Sequence, residues 1–198
     1  MELKLKPHQK SAIRKMHNGC ILCGGTGSGK SITGLAYYFI QNGGTVEPMT
    51  KMKNPKDLYI ITTAKKRDSG EWIGDMSWFY LTPDDKTKIY DHKVVIDSWN
   101  NIKKYASVQN SFFIFDEQRV VGYGAWTKSF LKIAKANDWI LLSATPGDNY
   151  MDYMPVFIAN GFYKNKSEFT AEHCVYSRFS KFPQIERFIG TERLNRLR

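Results

Sequence analysis

Five short stretches of this chain are apolar almost throughout: residues 19–24, 58–63, 93–97, 111–116 and 139–143. Their length and their content of Ile, Val, Phe, Tyr and Trp predict β-strands. A strand that is apolar at odd and even positions alike is covered on both faces. The segments between them repeat closer to every 3.6 residues. Helices are predicted over 32–41, through a segment carrying Trp72 and Met76, over 98–105, and over 126–136, where Phe130, Leu131, Ile133 and Ala134 supply the apolar side. Residues 3–18 also read as helical, with Leu5, Ile13 and Met16 on one face and Lys10, Arg14 and Lys15 on another. Residues 45–56 hold two prolines and three lysines without a period and predict an exposed loop; Pro83-Asp84-Asp85 predicts a turn. After Pro146 the pattern weakens, yet Tyr153, Phe157, Tyr163 and Phe169 keep that segment packable.

Alternating strands and helices predict an α/β fold, a three-layer sandwich around a mostly parallel sheet. Ligands of such sheets bind at the carboxyl ends of the strands. The polar clusters fall at those ends: Lys30-Ser31, Thr62-Thr63, Asp97-Ser98, Asp116-Glu117 and Ser143-Ala144-Thr145.

Between the first strand and the helix after it, Gly24-Gly25-Thr26-Gly27-Ser28-Gly29-Lys30-Ser31 fits the phosphate-binding pattern G-x-x-x-x-G-K-[ST] at every fixed position. Glycines let the backbone curl so that successive N–H groups meet phosphate oxygens, and the helix N-terminus adds its positive end. Gly25 through Ser31 are the candidate nucleotide-binding residues, with Lys30 solvent-facing and reaching the β- and γ-phosphates of ATP, and the Ser31 hydroxyl holding Mg²⁺. A flexible glycine-rich turn is the bland alternative. Asp116-Glu117 closes an apolar strand, as paired acids do in nucleotide hydrolases. Asp116 is the candidate second Mg²⁺ ligand and Glu117 the base that deprotonates the attacking water. An acidic turn is the alternative there.

The chain of 198 residues carries a net charge of +10, which favours a polyanionic partner such as nucleic acid over an evenly spread solubility bias. No apolar run is long enough to span a membrane, and the N-terminus alternates charge without a signal-peptide core, so a cytoplasmic protein is expected. Cys20 and Cys23 read as two buried small residues of the first strand, because no second pair completes a zinc site.

Taken with the phosphate loop, Asp116-Glu117-Gln118-Arg119 resembles the D-E-x-x box of superfamily 2 helicases and translocases, and Ser143-Ala144-Thr145 resembles their S-A-T motif. His8-Gln9 is similar to their Q-motif, Thr62-Thr63-Ala64-Lys65-Lys66 with Trp72 to motif Ia, and Asp97-Ser98-Trp99 falls where motif Ib is expected. The Thr145-Pro146 step, Asn149 and Trp72 look most like the Swi/Snf-type branch, in the compact form that phages encode. The resemblance runs from residue 3 to about 198. It implies a RecA-like motor domain that hydrolyses ATP with Mg²⁺ and tracks DNA, duplex for this branch. It implies that Gln9 reads adenine, that Thr63, Lys65, Lys66, Ser98 and Trp99 meet the nucleic-acid backbone, and that Ser143 and Thr145 couple the two sites. For each of these residues a solvated, core or strand-end role is the alternative. The box reads Asp-Glu-Gln-Arg where relatives have D-E-A-H or D-E-A-D, which leaves its linkage to the S-A-T motif open. A second motor domain, which would carry an arginine finger, is expected beyond these residues. Two rivals stand beside this reading: a P-loop phosphotransferase, and a motor half that binds DNA or a partner without turnover.

Overall fold

The structure, a computed structural model, describes residues 3–83, 90–117 and 124–198. Strands β1 (Ile21–Cys23), β4 (Leu58–Thr62), β5 (Val94–Ser98), β6 (Phe112–Asp116) and β7 (Asp138–Ser143) form one parallel sheet in the order β1-β7-β6-β4-β5. The chain leaves β1 and returns three strand positions away at β4; β6 and β7 later fill the gap of two strands. That jump opens a crevice above the carboxyl ends of β1, β6 and β7, where α/β sheets bind their ligands.

The unbroken apolar runs now have a simple reason. Successive side chains of a strand point to opposite faces. Leu58, Ile60, Phe112, Ile114, Ile140 and Leu142 enter one core, beneath α2 (Lys30–Gln41) and α4 (Glu71–Ser77). Tyr59, Ile61, Phe113, Phe115, Trp139 and Leu141 enter the other, beneath a 3₁₀ helix (Trp99–Tyr105) and α5 (Ala125–Ala136). The three-layer parallel sandwich expected from the sequence is the fold observed.

Several local expectations change. The first helix, α1, is Pro7–Lys15, shorter than predicted, because proline is favoured at a first helical position and the residues before it run extended. Residues 45–56 are not wholly an exposed loop. Strands β2 (Thr45–Val46) and β3 (Met49–Thr50) pair as a small hairpin, and Val46 and Met52 are buried against α2 and its neighbours. The first strand is not buried. β1 lies at the sheet edge with Ile21 and Leu22 half-buried and Cys23 exposed, so the pairing of Cys20 and Cys23 as two buried residues is corrected. The predicted turn extends into residues 84–89, outside the described residues.

The segment after Pro146 packs as expected of its aromatic content. α6 (Tyr150–Ala159) lies against α5, and Tyr153, Phe157, Tyr163, Phe169 and Leu194 form a third core with α7 (Lys166–His173) and α8 (Thr191–Leu197). A short antiparallel pair, β8 (Cys174–Tyr176) and β9 (Ile185–Phe188), completes it. No described helix is long and apolar enough to cross a membrane.

Candidate functional site

The phosphate loop bridges β1 and α2, and its shape depends on glycine. Gly27 and Gly29 have φ of +75° and +79°, in the left-handed region that L side chains avoid. A Cβ at Gly29 would also lie 2.6 Å from the Gln9 amide nitrogen. Lys30 does not face solvent freely. Its ammonium donates to the Gly24 and Gly25 carbonyls at 2.6 and 2.9 Å, and the side chain lies half-buried along the loop. Gly25, Thr26 and Gly27 are exposed, and Ser28 turns back through its N–H to the Gly25 carbonyl.

Gln9 is buried, not solvated. Its amide oxygen accepts the Lys6 N–H at 2.8 Å, which closes the start of α1, and its amide nitrogen donates to the Gly29 carbonyl at 3.2 Å. His8 Nε2 lies 3.1 Å from the Ser28 carbonyl. Together the two residues dock α1 onto the loop. A primary amide has two donor hydrogens and two acceptor lone pairs, so Gln9 keeps one donor and one acceptor beyond these two bonds.

Asp116 ends β6 and is 2% exposed. Its Oδ2 accepts three donors: the Thr62 hydroxyl at 2.8 Å, the Lys66 ammonium at 2.9 Å and the Trp72 indole N–H at 3.2 Å. Glu117 follows with φ of +56°, a left-handed conformation that costs a non-glycine residue on the order of 1 kcal/mol. Strain of this kind concentrates at working sites, and here it turns the Glu117 carboxylate out of the strand into the crevice. Lys66 reaches it too, at 3.6 Å. Burial works against the Lys66 charge, but the bond to Asp116 and the field of both acids outweigh it and lift its pKa above the usual range.

Lys66 is therefore drawn to the acids, apart from the nucleic-acid role that the resemblance implies for it. Thr63 caps α3 (Ala64–Ser69) by accepting the Lys66 N–H, and one turn of helix carries the Lys66 side chain back over the acids. Lys65, its neighbour, is exposed on the outer side. Trp99 is a core residue: it is 2% exposed, stacks on Phe115 and donates its indole N–H to the Asp116 carbonyl at 2.9 Å. Ser98 is equally buried, and Asp97 beside it is structural. Burial opposes the Asp97 charge, yet bonds from Asn101, Tyr105, the Ser98 N–H and Arg67 together hold its carboxyl below the ordinary range. Thr63, Ser98, Trp99, Asn100 and Trp126 still share a shallow cavity of about 210 Å³. Ser143 is buried. Its carbonyl accepts the Gly24 N–H and its hydroxyl accepts the Thr145 N–H, which ties the S-A-T segment to the phosphate loop, while Thr145 itself is exposed. Gln118 and Arg119 lie outside the described residues.

Loop, acids and S-A-T segment meet in one cavity of about 330 Å³, lined by Thr26, Gly27, Gly29, Lys30, Ser31, Asp116, Glu117 and Ser143. A larger groove, about 410 Å³, runs along the outer edge of β1 and holds none of this chemistry. The loop cavity is also lined by Glu71 and Asp75, which motif spacing did not single out, and by Lys66, which the motif Ia resemblance assigned to the nucleic-acid backbone. Glu71 and Asp75 stand one helical turn apart on α4, a regular surface spacing that carries no signal of what the face meets. Ser31 and Asp116 offer hard oxygen donors of the kind Mg²⁺ takes. Asp116 Oδ2 is already shared by three donors, so Oδ1 is the oxygen that fits a metal.

No family model matches this chain, and no curated protein matches it in sequence. Its structure is similar to the SWI2/SNF2 ATPase core of Sulfolobus solfataricus in complex with dsDNA, with a TM-score of 0.62 over 87% of this chain at 16% identity. It is also similar to the Hef helicase domain of Pyrococcus furiosus, with a TM-score of 0.56 over 86% of this chain at 18% identity. The chain spans about two fifths of each, 39% and 40%. The likeness is one of fold: a parallel sheet flanked by helices on both faces.

Proposed function

We propose that this chain is the first motor domain of a Swi/Snf-like DNA translocase or helicase, which binds and hydrolyses Mg·ATP and acts with a second motor domain. The observation that carries the reading is the meeting of Lys30, Ser31, Asp116, Glu117 and Ser143 around one cavity at the carboxyl ends of a RecA-like sheet. Lys30 and the loop N–H groups take the phosphates. Ser31 and Asp116 hold Mg²⁺, which neutralises charge on the phosphate oxygens. Glu117 accepts the proton of the attacking water. The remaining donor and acceptor of Gln9 suit adenine. Ser143, bonded to both the loop and Thr145, passes changes at the nucleotide to the strand ends.

DNA is the polyanion that this reading assigns to the net charge of +10. Thr63, Lys65 and Ser98 lie at the rim of the sheet, and the dsDNA in the SWI2/SNF2 ATPase core complex supports a duplex track. Contacts there go to phosphates and read no sequence. The two lysines should separate. Lys65→Ala is expected to reduce the slope of log K against log salt by about 0.9, one phosphate contact on duplex DNA. Lys66→Ala should leave the slope unchanged, because its charge is spent on the acids. Fluorescence anisotropy with a labelled duplex across a salt series reads both. A lowered slope for Lys66→Ala with none for Lys65→Ala would place the DNA face elsewhere.

A further inference from the structure

α4 contributes nothing to the phosphate loop or the acidic pair, yet it lies beside both residues that hold the metal in the reading above. The Trp72 indole N–H donates to Asp116 Oδ2 at 3.2 Å from a ring that is 2% exposed. Three residues on, the half-buried Asp75 carboxylate lines the same cavity as the Ser31 hydroxyl. Residues three apart share one face of a helix, so a single rigid element reaches both. The chemistry of each pairing favours a metal. A hydroxyl has one proton and two lone pairs. With its proton directed at the neighbouring Asp75 carboxylate, Ser31 would have its lone pairs for a cation. With Trp72, Thr62 and Lys66 all on Oδ2, the Asp116 carboxylate is fixed in rotation and its Oδ1 is the face left for one.

We propose that Trp72 and Asp75 are positioning residues for Mg²⁺, an outer layer that α4 places behind Asp116 and Ser31. The proposal rests on the nucleotide reading. Outer partners of metal-holding groups set ligand orientation, and their loss typically costs about 10- to 100-fold in metal affinity.

The test is a Mg²⁺ titration of the binding of a fluorescent ATP analogue to the full chain, for the wild type, Trp72→Phe and Asp75→Asn. Asp75→Asn keeps shape and removes the charge; Trp72→Phe removes the indole N–H and puts a smaller ring in the core, so melting temperature is read beside the midpoint. The Mg²⁺ concentration at half-maximal binding is expected to rise about 10-fold in each, with wild-type nucleotide affinity restored at saturating Mg²⁺. Asp75→Glu, which keeps the carboxylate, should move the midpoint less than Asp75→Asn. An unchanged midpoint in both variants would overturn the proposal. So would an equal loss of affinity at every Mg²⁺ concentration together with a lowered melting temperature, since that is what a packing role alone produces. Failure of the wild type to bind nucleotide at any Mg²⁺ concentration would instead strike the nucleotide reading, and is seen before any variant is made.

Discussion

The 198-residue chain is expected to bind Mg·ATP yet release phosphate slowly, with or without duplex DNA, and to accelerate by roughly 10³- to 10⁵-fold when a second motor domain is supplied. The cavity has the loop and the residues proposed as metal ligands and base, but among the described residues no arginine lines it. Lys66 is a cation in the right place, but it is held by Asp116 and Glu117. Two of the tail arginines are engaged elsewhere: Arg193 with Glu172 and the Tyr163 ring, Arg198 with the Tyr153 ring and hydroxyl. The two similar structures named above are each about two and a half times the length of the matched part, and the proposed second domain would close the crevice. Steady-state phosphate release, with the domain added in cis or as a separate chain, measures the gain. Strong DNA-stimulated turnover by these residues alone would mean that a group of this chain, Arg119 or a tail arginine from a second copy, serves as the finger.

Glu117→Gln and Asp116→Asn should fail in different ways. Glu117 is 43% exposed and leans out of the strand, so the amide should leave folding and Mg·ATP binding nearly unchanged. Turnover should fall by about 10²- to 10⁴-fold, the usual contribution of a general base. Asp116 is buried beneath three donors. Its Oδ2 meets Thr62, Lys66 and Trp72, and an amide there loses the Lys66 ion pair as well as the metal. Asp116→Asn should therefore lower the stability of the chain by on the order of 1–3 kcal/mol and weaken nucleotide binding. Thermal unfolding, equilibrium binding and single-turnover hydrolysis on the two variants separate the roles. Equal loss of Mg·ATP affinity in both would contradict the division.

The phosphate loop, the acid pair and the S-A-T segment could be placed from the sequence because each is a run of neighbouring residues at one strand end, and a parallel sheet brings those ends to one cavity. The sheet could be read because strands buried on both faces must be apolar at every position. The roles of α3 and α4 could not. Lys66 and Lys65 differ by about 100° around a short helix, and only the packing of that helix decides which one meets Asp116 and which meets solvent. Trp72 and Asp75 reach residues 44 positions away in either direction along the chain, and nothing in their spacing names those partners. Trp99 shows the same limit from the other side, since its core alternative could not be separated from a nucleic-acid role by sequence. An aromatic at a strand end suits a nucleic-acid face, but its ring fills the core under Phe115 and its N–H closes the Asp116 carbonyl. The outer edge of β1 was hidden for a similar reason, since an apolar run gives no hint that its strand pairs on one side alone.

The most direct measurement is an equilibrium titration of a fluorescent ATP analogue with Mg²⁺ against the wild-type chain and Lys30→Ala. The wild type should bind. Lys30→Ala should keep its melting temperature but lose affinity on the order of 100-fold, about 2.7 kcal/mol, the scale of a charge-assisted contact to phosphate. Equal affinity in the two chains, or no binding by the wild type, would contradict a nucleotide site at this loop and with it the motor function.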